Sequence, residues 1–156
     1  MKKVGFTIGK FAPLHKGHQF LIETALKEVD EFYIVIYETN LIENPIDERA
    51  NWIHKIYPSV KVLYARNPPS QYGLDEESVK KQIDYLKSIT KDIKFTHFYS
   101  SEKYGYFVAR DFNVKNRIVD YNRSNINISG TKIRKNPNKY SNYLDDLVRK
   151  DLNKLH

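Results

Sequence analysis

The chain has 156 residues, room for one domain with a single hydrophobic core and none for a second catalytic domain. Its 26 Lys and Arg against 19 Asp and Glu leave a formal charge of +7, which favours anionic partners without separating a nucleotide from a nucleic acid or an acidic membrane surface. The absence of cysteine excludes disulfides, thiolate nucleophiles and cysteine-ligated metals, and Lys10 and Lys16 interrupt any apolar stretch that could act as a signal-peptide core or membrane span, so a soluble cytoplasmic protein is expected.

In chain order, residues 3–8 have the length and the β-branched and aromatic content of a short buried strand. Phe20, Leu21, Ile22, Ala25, Leu26 and Val29 then recur at helical spacing. Residues 31–37 form a near-continuous apolar run, as expected of a parallel strand covered on both faces. A helix is predicted over 46–57, with Ala50, Ile53 and Ile56 or Tyr57 on one face and Pro58 as its stop. A third strand follows at 60–64, then a loop at 65–73 marked by two prolines and a glycine. Residues 75–90 read as a helix with an acidic first turn and a stripe of Val79, Ile83, Leu86 and Ile89. Strands at 95–99 and 114–120 flank a short helix at 103–111, and Leu144, Leu147, Val148, Leu152 and Leu155 mark a C-terminal helical segment. The alternation predicts one α/β domain over residues 1–156, Rossmann-like, with a parallel sheet of about five strands flanked by helices and ligands gathered at the carboxyl ends of the strands.

The most informative stretch is the turn between the first strand and first helix, Gly9-Lys10-Phe11-Ala12-Pro13-Leu14-His15-Lys16-Gly17-His18. Gly9 and Pro13 suit an irregular turn, and Gly17 near the helix start lets a ligand approach the main chain. Free amides and the positive end of the helix dipole collect there, so two imidazoles and Lys10 would surround a bound phosphate with donors. Taken alone, His15 and His18 also fit a capping and a surface histidine. A zinc pair lacks a third ligand at recognisable spacing, and no protein metal site is expected. Further on, Ser129, Gly130 and Thr131 precede a helix beginning near Lys132. Hydroxyls and amides would meet there, with Arg134 one turn in and able to fork onto phosphate oxygens.

Gly9 to His18 resembles the Gly-x-Phe-x-Pro-x-His-x-Gly-His signature of the nucleotidyltransferase superfamily, and Ile128-Ser129-Gly130-Thr131-Lys132-Ile133-Arg134 is similar to its Ile-Ser-x-Thr-x-x-Arg. Within it the chain most resembles the nicotinamide-mononucleotide adenylyltransferase domain of bifunctional NAD-regulator proteins, where a lysine also follows the first glycine. Tyr99-Ser100-Ser101-Glu102, Asp120-Tyr121-Asn122-Arg123, Asp47-Glu48-Arg49-Ala50-Asn51-Trp52 and the Asn136-Pro137 segment extend the likeness. The resemblance implies transfer of AMP from ATP to nicotinamide mononucleotide, with release of pyrophosphate, formation of NAD and Mg²⁺ bridging the phosphates. It implies that Lys10, His15 and His18 stabilise the α- and β-phosphates, and that Ser129, Thr131 and Arg134 hold the β- and γ-phosphates. Gly9, Phe11, Ala12, Gly17, Ser101 and Arg123 would lie against the nucleotide, and Arg49 is a candidate for orienting the acceptor phosphate, with a solvated helix arginine as the other reading. Trp52 reads as core.

The family's tryptophans after the third strand are missing here, so Tyr72 or Tyr85 is the candidate for stacking on the acceptor ring. Two other readings stay open: a cytidylyl- or adenylyltransferase using ATP or CTP and another phosphorylated acceptor, and a non-catalytic nucleic-acid binder. No recognition motif accompanies the basic residues, so no specific nucleic-acid partner is expected, and a homo-oligomer is compatible with the sequence.

Overall fold

The apolar runs pair side by side. The computed structural model describes residues 1–70, 73–101, 105–120 and 125–153. Its strands are β1 (Val4–Gly9), β2 (Glu31–Tyr37), β3 (Lys61–Ala65), β4 (His97–Ser100) and β5 (Lys115–Ile118). They form one sheet in the order β3-β2-β1-β4-β5, every pairing parallel. The helices are α1 (Lys16–Glu28), α2 (Ile46–Ile56), α3 (Glu76–Thr90), α4 (Gly105–Phe112), α5 (Gly130–Lys135) and α6 (Asp146–Asn153). Strand order reverses between β1 and β4, which opens a crevice above the carboxyl end of β1.

Alternation along β2 sorts the core into two layers. Phe32, Ile34 and Ile36 join Leu21, Ile22 and Ala25 of α1, Trp52 and Ile53 of α2, and Val148 of α6. Val35 joins Ile83 and Leu86 of α3 and Val108 and Ala109 of α4. Both faces are covered, which is why β2 reads as continuously apolar. A buried polar contact ties α6 to the first layer, where the Trp52 indole N–H donates to Asp151 Oδ2 at 2.8 Å.

Several element ends differ from the expected ones, each for a local reason. Asp75 lies outside α3 as its N-cap, accepting from Ser78 N at 3.1 Å, because a short carboxylate satisfies an end amide better than it fits a helix interior. Phe95 precedes β4 and stacks on Phe6 at 4.1 Å, so its apolarity reports packing rather than strand pairing. The last strand ends at Ile118, and Asp120 turns the chain with φ 52. A 3-10 turn, Ser141–Tyr143, precedes α6, and Leu155 lies outside the described residues. Among the described residues no helix is long and apolar enough to cross a membrane.

Candidate active site

The turn leaving β1 is built by its own side chains. His15 is the N-cap of α1, its Nδ1 accepting from Gly17 N at 3.0 Å and His18 N at 3.3 Å, while His18 Nδ1 accepts from His15 N at 3.2 Å. This is a capping box made by two imidazoles. With both Nδ1 atoms accepting, the neutral rings carry their protons on Nε2, the tautomer that can donate to a ligand oxygen. The rings stack at 3.7 Å with an interplanar angle of 16°, and Phe11 packs against His18 at 4.6 Å. The capping reading and the ligand-facing reading of these histidines are therefore compatible.

The glycines act differently from expectation. A Cβ on Gly17 would stand 2.8 Å from His15 Cε1, so Gly17 makes room for the capping ring as well as lining the cavity. Gly9 belongs to β1 and lies under the Phe11 ring, 3.1 Å from where its Cβ would be, and no described glycine has positive φ. The left-handed residue is Phe11, with φ 50, a conformation costing a bulky residue about 1–2 kcal/mol. Its ring is only 3% exposed, and burial worth about 1.5–3 kcal/mol offsets that strain.

Two arginines grip this turn through its main-chain carbonyls. Arg134 on α5 donates from Nη1 to Ala12 O at 2.8 Å and from Nη2 to Thr131 Oγ1 at 3.2 Å, so the second motif is physically docked on the first. Ser129 caps α5 by accepting from Lys132 N at 3.3 Å. Arg49 is 0% exposed and donates to the carbonyls of Lys10, Tyr37 and Asn44. It is neither solvated nor part of the cavity wall, and burial lowers its pKa.

A cavity of about 700 Å³ opens above the carboxyl ends of β1 and β4. Each site residue expected between Gly9 and His18 lines it, and so do Ser101, Ser129, Thr131 and Arg134. Arg123 and Tyr72 lie outside the described residues. Tyr85 packs edge-on against Tyr37 at 6.1 Å, and it is Tyr37 that reaches the cavity. The far wall comes from α3, whose Val79, Gln82 and Ile83 face the cavity, and from Phe107 and Val108 of α4. The sequence marks only an apolar stripe on α3, and Gln82 beside it on the same face was the signal that this face also meets the cavity. Asp120 also lines the cavity. Its Oδ1 accepts from Asn125 N and its Oδ2 from Ile126 N, both at 2.9 Å, which holds the segment leading to α5.

This arrangement of a His-x-Gly-His turn, an arginine-bearing second motif and a crevice at the strand-order reversal has known relatives. The chain belongs to the cytidylyltransferase-like family of nucleotidyltransferases, which its residues 6–136 match. It is 28% identical over 168 residues to the trifunctional NAD biosynthesis/regulator protein NadR of Escherichia coli, covering 95% of this chain and 40% of that protein. It is 31% identical over 135 residues to a nicotinamide-nucleotide adenylyltransferase of Methanococcus maripaludis, covering 83% of this chain and 75% of that one. A crystal structure of NadR in complex with NAD and AMP-PNP matches with a TM-score of 0.65 at 22% identity, over 96% of this chain and 46% of that one. The chain thus spans two fifths of the length of the Escherichia coli NadR protein, and the structural likeness establishes the fold.

Proposed function

We propose that the protein transfers AMP from ATP to nicotinamide mononucleotide, releasing pyrophosphate and forming NAD. The observation that carries this reading is the docking of Arg134 on Ala12, which brings a cationic fork and the stacked His15 and His18 pair into the lining of one cavity. Relatives named as nicotinamide-nucleotide adenylyltransferases support the choice of acceptor.

In this reading a phosphate oxygen of the acceptor attacks the α-phosphorus of ATP in line. The new phosphoanhydride bond forms as the bond from the α-phosphorus to the β-bridging oxygen breaks, and that oxygen leaves with the electron pair as pyrophosphate. No side chain becomes covalently attached, so positioning and charge stabilisation supply the rate. The Nε2–H groups of His15 and His18 and the ammonium of Lys10 donate to α- and β-phosphate oxygens, where charge grows. Arg134, with Ser129 and Thr131, holds the departing β- and γ-phosphates. Gly9, Phe11, Ala12, Gly17 and Ser101 form the adjoining nucleotide wall, and the apolar α3 and α4 side chains receive the acceptor ring.

The described residues do not build a cage for a resident metal. Among the described residues no three His, Asp or Glu side chains converge, and both oxygens of Asp120 accept main-chain hydrogen bonds. Mg²⁺ would therefore be held by phosphate oxygens and water, which is its usual habit in such sites, and no step is assigned to it.

The test is a matrix of ATP and CTP against phosphorylated acceptors with Mg²⁺, measuring pyrophosphate and NAD. NAD should form from ATP and nicotinamide mononucleotide. Pyrophosphate released with a different acceptor and no NAD at saturating nicotinamide mononucleotide would overturn the acceptor assignment and leave the transferase reading standing.

A further inference from the structure

We propose that Arg49 is a positioning residue that aims the Lys10–Phe11 peptide at the bound phosphates, acting from behind the cavity wall. This rests on the nucleotidyl-transfer reading above.

Arg49 is wholly buried, and among the described residues no salt bridge joins it to a carboxylate. The opposing charge that acts on it is Glu38, whose own carboxylate is half exposed and lies 3.9 Å from Arg66. Burying a guanidinium without a paired anion is costly, and a helix position needing only apolar packing would resemble its neighbours Ala50 and Ile53. What the side chain obtains is three main-chain carbonyls. Nε donates to Asn44 O at 3.1 Å, and Nη1 donates to Tyr37 O at 3.1 Å and to Lys10 O.

Two of those carbonyls, of Lys10 and Tyr37, lie where β1 and β2 stop pairing with each other. The β1·β2 register ends at Gly9 opposite Ile36, so Lys10 and Tyr37 are the next residues on each side. Arg49 Nη1 bridges their carbonyls and continues the pairing beyond its backbone end. The consequence falls on the peptide after Lys10. A trans peptide directs its C=O and N–H in opposite senses, so drawing Lys10 O toward Arg49 turns Phe11 N–H away from it. Lys10 and Phe11 line the cavity and Arg49 does not. The same anchor sets the start of the left-handed turn at Phe11, whose ring supports His18. A lysine cannot replace these contacts, because one ammonium on a flexible stem cannot reach the three carbonyls that Nε and Nη1 hold together.

The test uses the full chain with Arg49→Lys and Arg49→Met, steady-state kinetics for both substrates, ATP titration calorimetry, thermal unfolding, and a double-mutant cycle with Lys10→Ala. Arg49→Lys should lower kcat about 10- to 100-fold, as misplacement of catalytic groups does, with both KM values and ATP affinity within about three-fold of wild type. Lys10→Ala should cost much less in the Arg49→Lys background than in wild type, since the lysine is already misplaced there. A raised acceptor KM with kcat retained would overturn the proposal in favour of a direct phosphate contact. A lower melting temperature with kcat and KM unchanged well below it would reduce Arg49 to core packing. If Arg49→Met fails to fold, Arg49→Lys decides alone. Failure of the underlying reading looks different: the wild-type protein itself would release no pyrophosphate.

Discussion

His15 and His18 each use one ring nitrogen to hold the turn and leave the other to carry a proton, so structure and chemistry can be separated by substitution. Asparagine at position 18 keeps an acceptor for His15 N and removes Nε2. His18→Asn should therefore unfold within about 1 kcal/mol of wild type, a typical capping contribution, while kcat falls about 100- to 1,000-fold. Near-normal turnover by a folded His18→Asn protein would end its catalytic assignment. Gly17→Ala tests the packing account, because the added methyl sits 2.8 Å from His15 Cε1 and must displace the cap. Both stability and rate should drop together, and a variant as active as wild type would show that the ring tolerates the methyl. On the proposed reading, Arg134→Ala removes a donor to phosphates already present in the ground state, and it also frees Ala12 O, so KM for the triphosphate should rise. Unchanged triphosphate kinetics would exclude that contact. These residues were legible as motif members. Their internal bonds were legible only in part: a capping histidine was among the readings, but a sequence does not say that the two imidazoles cap one another or that Arg134 touches residue 12.

At the scale of elements, the runs that read most clearly were those covered on both faces, β1 and β2. The strands β4 and β5 have four residues each, and β5 carries Lys115, Asn116 and Arg117, so apolar pattern gives them little signal. Beside their parallel pairing to β1 and to each other, a cross-link from α1 holds them. Arg117 Nε donates to Glu28 Oε1 at 3.1 Å and Nη2 to Oε2 at 3.0 Å, and Tyr99 OH donates to Glu28 Oε1 at 2.8 Å. Chiefly through the Arg117 hydrogen bond, this lowers the pKa of Glu28 below its ordinary 4.5. A lowered carboxyl pKa means that the unfolded chain binds the extra proton, so the stabilisation is present above pH 4.5 and disappears as pH falls through the folded value. Both side chains are 38% exposed, so the contribution is about 1 kcal/mol or less. Glu28→Gln should lower stability by that amount at neutral pH, and the two proteins should converge in acid. A constant gap across the pH range would show that the loss is packing rather than charge.

At the scale of the molecule, the site is an assembly of segments far apart in sequence, from Gly9 to Arg134, and each motif was visible while their shared cavity was not. The α3 wall was hidden because Ile83 and Leu86 of its stripe serve two purposes, packed in the core and lining the cavity beside Gln82, and a helical period does not distinguish packing from lining. Because the cavity joins the β1 turn, α3, α4 and α5, a ligand that fills it stabilises the whole fold by mass action. At a concentration about 100 times its dissociation constant, ATP would add about 2.7 kcal/mol, which for a chain of this size raises the melting temperature by about 5–10 °C. The +7 charge attracts any polyanion, so the control is duplex DNA at equal phosphate concentration. Its effect should be small and should vanish with added salt, because phosphate attraction without base readout depends on counterion release. The nucleotide shift should survive salt better, since it draws on enclosed hydrogen bonds as well as charge. Arg134→Ala should cut the shift from ATP, and CTP should give a smaller one if the pocket reads adenine. Equal shifts from ATP, CTP and DNA, all lost together in salt, would mean that the protein recognises charge alone.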